Sequence, residues 1–264
     1  KSGKLLFTFN GHKNDVTSAL IHPVFKFAFT GSLDGTIKVW NLGRFGEIQS
    51  TINCGAPVNS ICLSTNGQSI FAALDNGTIK EFSMVGKEKN TFSGHAGSVL
   101  GVNYSLNNRF LVSCGEDKKV IVWDPKSGEQ IRVLEGHTWK VNSINISTDS
   151  KYAVSGGNDG DIRLWEIETG NCLYIFRGFG NAIQSVAFQP NVKNFASTAL
   201  VRGGKKENLV YVFNTRVGRV NDMEARAEEM KLKQDSINKA KEEQIKKKAE
   251  QDSLKKQKKV MPKR

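Results

Sequence analysis

Short stretches of alternating apolar and polar residues recur along the chain as far as about residue 215. Examples are VNSINIS (141–147), KYAVSGG (151–157) and DIRLWEI (161–167). This two-residue alternation is typical of half-buried β-strands. Turn-forming clusters such as STDSK (147–151) and ETGN (168–171) separate the stretches. The pattern therefore predicts a succession of short antiparallel strands.

A fixed spacing of four chemically distinctive residues shows that these strands belong to repeats. A histidine that follows glycine, a serine or threonine, an aspartate and a tryptophan keep intervals of 18, 4 and 6 residues in three copies. The three sets are His12, Thr30, Asp34 and Trp40; His95, Ser113, Asp117 and Trp123; and His137, Ser155, Asp159 and Trp165. Identical intervals in three copies indicate a structural unit with fixed internal geometry.

Two further copies lack part of this set. In the copy opened by Gly55, Ala72 stands in place of the hydroxyl residue and Phe82 in place of the tryptophan. The copy opened by Gly178 keeps Ser197 but has Phe179 and Phe213 at the histidine and tryptophan positions. We expect both copies to rely on apolar packing and to be less rigid. The five repeats lie near 5–50, 51–90, 91–132, 133–174 and 175–215.

These motifs resemble the WD-repeat family, in which Gly-His, a spacer and Trp-Asp close a period of about 40 to 45 residues. The segment KVIVWD (119–124) carries the full ending, whereas KVWN (38–41) and RLWE (163–166) vary the acid. The resemblance implies an all-β propeller with one four-stranded blade per repeat. It also implies that each intact set of four residues forms a buried hydrogen-bonded network instead of a catalytic site.

The number of blades is left open by the sequence. The family commonly builds seven blades, and LLFTF (5–9) is an outer-strand run without its own blade. Either the two ends meet and close a five-bladed ring, or N-terminal blades of a larger, seven-bladed ring are missing. Because no methionine opens the chain, missing blades are favoured.

The sequence lacks the motifs of several classes of enzyme and metal-binding protein. There is no Gly-rich phosphate loop before Lys and Ser or Thr, no paired-histidine motif and no nucleophile elbow. The four cysteines lack metal or redox spacing and are expected to be buried thiols. We therefore predict no catalytic residues, no cofactor and no metal. His22, in the turn before Pro23, is expected to be exposed.

The chain also shows no long apolar run and no leader sequence. This predicts an intracellular protein of the nucleus or cytoplasm that is neither secreted nor membrane-spanning.

Residues 216–264 form a basic extension that carries +7 of the net charge of +12. Glu, Lys, Gln and Ala dominate it, so a long helix is predicted. Met223, Met230 and Ile237 recur every seven residues, which is compatible with a short coiled coil. The helix could be solvated or could bind a partner. The basic cluster of Lys255, Lys256, Lys258 and Lys259 fits nuclear import, RNA phosphate contact or a solubilising end.

The favoured function is a non-catalytic protein–protein interaction scaffold within a larger multiprotein or ribonucleoprotein complex. Residues that follow the Gly-His positions vary between repeats, and Trp139 beside Lys140 has the composition of a binding hot spot. Packing of Trp139 on a neighbouring loop is the other possibility. The candidate partner-binding residues are Lys13, Asn14, Ser98, Trp139, Lys140, Asn181, Arg202 and Lys205.

The sequence leaves two alternative functions open. The basic tail would suit an RNA-associated factor in RNA processing or ribosome biogenesis, with non-specific phosphate contact. Some members of the resembled family are substrate receptors of ubiquitin ligases and carry a basic residue three positions after the blade tryptophan. Only Lys126, after Trp123, fits that pattern. No small-molecule substrate is predicted.

Overall fold

The computed structural model describes residues 8–44, 46–177, 181–189, 194–199 and 209–214. These residues form antiparallel β-strands and one short 3-10 helix, Leu42–Arg44. Each strand pairs with the next along the chain, which gives five sheets. The predicted all-β fold made of propeller blades is confirmed. Arg202, Lys205 and the predicted helical tail lie outside the described residues.

Four of the five blades have four strands. Blade 1 contains β1 (Val16–Ile21), β2 (Phe27–Ser32), β3 (Thr36–Asn41) and β4 (Glu47–Asn53). Blade 2 contains β5 (Val58–Leu63), β6 (Ser69–Leu74), β7 (Thr78–Ser83) and β8 (Glu88–Ser93). Blade 3 contains β9 (Val99–Tyr104), β10 (Leu111–Gly115), β11 (Val120–Trp123) and β12 (Gln130–Leu134).

Blade 4 contains β13 (Val141–Ile146), β14 (Tyr152–Gly157), β15 (Ile162–Glu166) and β16 (Cys172–Phe176). Within the described part of the chain, blade 5 has three strands, β17 (Ile183–Phe188), β18 (Asn194–Ala199) and β19 (Leu209–Asn214). The chain divides into two units, Lys1–Thr215 and Arg216–Arg264, and all five blades belong to the first.

The hydrophobic core lies between consecutive blades. Phe29 and Ile37 of blade 1 pack in one cluster with Val58, Ile61 and Phe82 of blade 2. The blades approach closely, since a Cβ added to Gly31 would lie 2.8 Å from Cγ1 of Val58. A larger residue at Gly31 would therefore require the Val58 side chain or the adjoining blade to shift. Each blade therefore buries its alternating apolar face against its neighbour instead of within its own sheet.

The inner strands lie side by side in the order β1, β5, β9, β13 and β17. The first apolar residue of each of the last four is fully buried by the preceding blade: Val58, Val99, Val141 and Ile183. Val16, the equivalent residue of β1, is 53% exposed. A closed five-bladed ring would cover this side of blade 1 with blade 5. Among the described residues, Val16 therefore lacks the cover that the equivalent residues receive from a preceding blade.

His22 corrects an expectation from the sequence, because it is buried (4% exposed). Its Nδ1 accepts the backbone N–H groups of Val24 and Phe25 at 3.1 and 2.9 Å. Its Nε2 lies 3.3 Å from the carbonyl oxygen of Gly67 in the next blade. A polar residue before a proline suggested an exposed turn, but the imidazole is needed to satisfy the backbone of that turn.

Cys172 also differs from expectation. Cys54, Cys62 and Cys114 are buried free thiols, whereas Cys172 is exposed on the outer strand β16. No helix among the described residues has the length and apolar character needed to cross a bilayer.

We predict that His22→Ala lowers the free energy of unfolding by about 1–3 kcal/mol, because two backbone N–H groups lose their acceptor. Val24→Ala is the matched control, since Val24 is 79% exposed and its truncation should change stability by less than about 0.5 kcal/mol. Urea unfolding followed by circular dichroism measures both. Equal midpoints for the two variants would contradict this role of His22.

Candidate partner-binding face

The four spaced residues of blade 4 form one hydrogen-bonded network. Trp165 donates its indole N–H to Oγ of Ser155 at 2.8 Å. The same Oγ lies 2.8 Å from Nε2 of His137, and Nδ1 of His137 lies 2.9 Å from Oδ2 of Asp159. With the serine hydroxyl donating to Nε2 and Nδ1–H donating to the carboxylate, every buried donor in the network has an acceptor.

Blades 1 and 3 repeat this arrangement. Trp40 and Trp123 donate to Thr30 and Ser113 at 2.8 Å, and the histidines lie 2.7–2.8 Å from the same hydroxyl groups. His12 and His95 then lie 2.9 Å from the carboxylates of Asp34 and Asp117. The networks are enclosed within blades, because the three tryptophans are only 1–2% exposed. They join strand, loop and turn but leave no room for a substrate.

Each aspartate also fixes a loop at the blade edge. The carboxylates of Asp34, Asp117 and Asp159 accept backbone N–H groups from Lys13, Ala96 and Thr138, respectively, at 2.9–3.1 Å. These amides directly follow the histidines, so the loop carrying Gly-His is tied to the turn carrying the aspartate. We call the surface formed by these loops and turns the upper face. The networks make its backbone rigid.

The environment of these aspartates changes their pKa values. Burial is the largest single influence on Asp34 and raises its pKa, but hydrogen bonds from Thr36, the Lys13 amide and His12 together outweigh it. The net result is a pKa far below the usual range. Burial likewise raises the pKa of Asp117 and Asp159, while their histidine partners and backbone amides lower it further than burial raises it.

Blades 2 and 5 lack some of the four network residues, and their buried positions make different contacts. In blade 2, Ala72 and Phe82 are buried in the apolar core with Phe29 and Ile37, so packing replaces hydrogen bonding there. In blade 5, Ser197 is 1% exposed, and its Oγ has no hydrogen-bond partner among the described residues. Ser197 keeps the hydroxyl of the network where the sequence has Phe179 and Phe213 at the partner positions.

The upper face holds most of the candidate partner-binding residues. Lys13 and Asn14 are exposed in blade 1, and Asn181 is half-buried in blade 5. Trp139 is 61% exposed. Lys140, beside it, is half-buried and its Nζ lies 3.9 Å from Oε1 of Glu116 in blade 3.

Ser98 is a correction to this set. It is 6% exposed, donates its hydroxyl to Asp75 at 2.9 Å and accepts from Nδ2 of Asn59 at 2.9 Å. Its position after Gly-His suggested exposure, but its side chain joins blades 2 and 3. Ser98 is therefore unavailable for direct partner contact.

Lys118 belongs to the upper face and was not singled out from the sequence. It is exposed and has a φ of 70°, whereas glycine occupies the same turn position in the other three described turns, as Gly35, Gly77 and Gly160. The signal was present in the sequence, since the segment EDKK (116–119) departs from LDGT, DNGT and NDGD. A lysine that replaces a turn glycine in a single repeat could have been found by aligning the repeats.

Comparison with known proteins agrees with this geometry. The family model described as "WD domain, G-beta repeat" matches residues 3–41, 86–124 and 128–166. Each match contains all four residues of one complete network. These three segments of the chain therefore match the WD-repeat family.

Individual WD-repeat relatives are similar over about half of the chain. WD repeat and FYVE domain-containing protein 1 of Homo sapiens is 30% identical over 135 residues, which are 48% of this chain and 33% of that protein. Autophagy-related protein 16 of Arabidopsis thaliana is 29% identical over 133 residues, 48% of this chain and 25% of that protein. Striatin-3 of Homo sapiens is 28% identical over 143 residues, which are 46% of this chain and 18% of that protein. The chain thus spans a third or less of these relatives.

No group of three or more His, Cys, Asp or Glu residues in the described ranges is arranged to hold a metal ion. His95 and His137 are each engaged by one hydroxyl and one carboxylate, and His12 is engaged by one carboxylate and by the hydroxyl groups of Thr30 and Thr36. The upper face also carries exposed side chains, among them Lys13, Asn14 and Trp139.

We predict that Ser155→Ala destabilises the protein by roughly 2–4 kcal/mol, because it leaves the Trp165 N–H and a nitrogen of His137 buried without partners. Ser197→Ala is the matched control in blade 5. It removes a buried hydroxyl that has no partner among the described residues, so stability should stay within about 0.5 kcal/mol or rise. Thermal and urea unfolding compare the two, and similar losses would contradict the assigned difference between the blades.

We also predict acid-dependent stability. The folded-state pKa values of Asp34, Asp117 and Asp159 are lowered, so their contribution is fully present above the unfolded-state pKa of about 3.9 and is lost as the pH falls below it. Urea midpoints should therefore fall steeply as the pH drops below about 4. Asp159→Asn should flatten this fall. An unchanged slope in Asp159→Asn would refute the linkage.

Proposed function

We propose that this chain is a non-catalytic protein-interaction scaffold, a WD-repeat subunit of a larger multiprotein complex. WD-repeat proteins are generally non-catalytic scaffolds, and the three intact networks use their histidines structurally. The chain spans only part of the length of its relatives. Its membership of a complex is therefore proposed along with the scaffold role.

The observation that carries the proposal is the exposure of Trp139. The other three tryptophans are 1–2% exposed, whereas Trp139 is 61% exposed on the upper face. An exposed indole on a rigid loop provides a large contact area with little loss of conformational entropy, and tryptophan is enriched at binding hot spots. The amide of Thr138, bonded to Asp159 at 2.9 Å, fixes the loop that presents it.

The neighbourhood of Trp139 adds specific polar groups. Lys140 and Glu116 form a partly exposed pair, and Lys13 and Asn14 extend the upper face to blade 1. A central aromatic residue surrounded by exposed polar groups is the usual anatomy of a protein interface. We therefore place the main partner contact around Trp139, with Lys140, Lys13, Asn14 and Asn181 as further candidates.

We predict that Trp139→Ala changes the free energy of unfolding by less than about 0.5 kcal/mol, because the side chain is mainly exposed. The same variant should reduce capture of protein partners from cell extract. Trp165→Ala is the structural control and should cost about 3–5 kcal/mol. Calorimetry and quantitative mass spectrometry measure the two effects. If both variants melt alike and capture alike, the assignment of Trp139 is wrong.

The same capture experiment tests the RNA alternative. The whole chain is used with and without nuclease, beside a variant in which Lys255, Lys256, Lys258 and Lys259 are changed to Glu. Partners that persist after nuclease and in this variant support the scaffold. Loss of all partners under both conditions would favour an RNA-associated role.

A further inference from the structure

Lys118 adopts a backbone conformation that lysine rarely takes. Its φ is 70°, close to the values of 79°, 84° and 77° at Gly35, Gly77 and Gly160 in the equivalent turns. Glycine adopts this left-handed region without steric clash, whereas a residue with a Cβ is destabilised there. Local strain of this kind is concentrated at functional sites. Lys118 is thus the backbone outlier among the four equivalent turns that the structure describes.

The repeats place Lys118 beside Trp139. A Cβ at Gly77 would lie 3.1 Å from the carbonyl oxygen of Gly97 in the following blade, and one at Gly160 would lie 3.2 Å from that of Asn181. Gly97 and Asn181 hold the same position after the Gly-His site as Trp139 does. At the junction of blades 3 and 4, the glycine position is Lys118 and the facing position is Trp139.

A direct contact joins the same two loops. Nζ of Lys140, next to Trp139, lies 3.9 Å from Oε1 of Glu116, two residues before Lys118. The junction therefore combines two departures from the repeat: a large indole where the other blades have Gly97, Asn14 or Asn181, and a lysine where they have glycine. Both side chains are exposed.

The charges at this junction leave one cation without an ion-pair partner in the described part of the chain. Lys119 lies 3.3 Å from Glu135, and Lys140 pairs with Glu116. The carboxylate of Asp117 is only 5% exposed and faces His95 at 2.9 Å. Among the described acidic residues, none forms an ion pair with the ammonium group of Lys118. Three lysines and three carboxylates balance at this junction, and among the described residues the exposed ammonium group of Lys118 is the cation left to pair with a carboxylate of another molecule.

We propose that Trp139 and Lys118 together form a docking site for an acidic peptide segment that carries an apolar side chain next to a carboxylate. The apolar side chain packs on the indole of Trp139, and the carboxylate pairs with the ammonium group of Lys118. The inference rests on the proposed function, because it specifies the class of partner that the upper face binds.

Energetic considerations favour this partner over a basic one. A basic segment would meet Lys118, and it would have to break the pairs that hold Glu116 and Glu135 to reach a negative group. An acidic segment gains an ion pair without breaking one. The adjacent indole excludes water from that pair and so strengthens it.

Collisional quenching of tryptophan fluorescence tests the local charge without a partner. Only Trp139 is exposed to quenchers among the four tryptophans, so Trp139→Phe provides the blank. In the whole chain, anionic iodide should quench more efficiently than cationic caesium. In Lys118→Glu, caesium should quench more efficiently than iodide. In Lys118→Gly, the difference in quenching efficiency between the two ions should become smaller. Equal quenching by both ions in the wild-type chain would overturn the proposal.

Selection of phage-displayed random peptides on the whole chain tests the partner class. We expect selected peptides in which Asp or Glu lies next to an aromatic or aliphatic residue. Trp139→Ala should weaken binding of a synthetic selected peptide by about tenfold or more, and Lys118→Gly should weaken it measurably while Lys118→Arg retains it. Lys118→Gly restores the residue of the other turns, so its unfolding midpoint should be unchanged or higher.

The outcomes separate this inference from the proposed function. Selection of basic peptides would overturn the acidic-segment inference. So would peptides that bind Lys118→Glu as tightly as wild type but do not bind Trp139→Ala. In both cases Trp139 stays a binding residue. Absence of any selected peptide, or binding unaffected by Trp139→Ala, overturns both. Enrichment of acidic peptides with loss in both variants supports both.

Discussion

The structure depends on the need of a buried indole N–H and a buried imidazole for hydrogen-bond partners. In blades 1, 3 and 4, a single hydroxyl group on the second strand accepts the indole N–H and bonds Nε2 of the imidazole, and an aspartate accepts Nδ1–H. An unsatisfied group in such a site would cost about 1–3 kcal/mol. The four side chains must therefore adopt one geometry together. This joint constraint fixes the distance between the strand, the Gly-His loop and the aspartate turn.

The two incomplete blades show that this constraint is one of two ways to build the same sheet. Blade 2 replaces the hydroxyl by Ala72 and the indole by Phe82, and both pack in the apolar core between blades 1 and 2. Blade 5 retains the hydroxyl of Ser197, which has no hydrogen-bond partner among the described residues. Removing a complete polar network is energetically milder than retaining one member of it. The intact networks thus matter most for the rigidity of the loops they anchor.

Much of this arrangement could be predicted from the sequence. The intervals between His137, Ser155, Asp159 and Trp165 recur in two other repeats, and a constant interval in a sheet fixes which side chains can meet. Positions outside that constant set were harder. The burial of His22 depends on two backbone N–H groups in its own turn and on Gly67 of the next blade. The burial of Ser98 depends on Asn59 and Asp75 of blade 2. Such contacts between repeats leave no periodic mark in a single sequence.

Exposed apolar residues in this chain have two distinct physical origins. Val16 is exposed on the side of β1 where Val58, Val99, Val141 and Ile183 each meet a preceding blade, so its exposure reflects an uncovered inter-blade surface. Trp139 is exposed at a junction where both neighbouring blades are in place and where Lys140 and Glu116 already join the two loops. Further blade packing would bury Val16 but would leave Trp139 in solvent. The exposure of Trp139 therefore supports the proposed partner contact, whereas the exposure of Val16 marks an inter-blade surface.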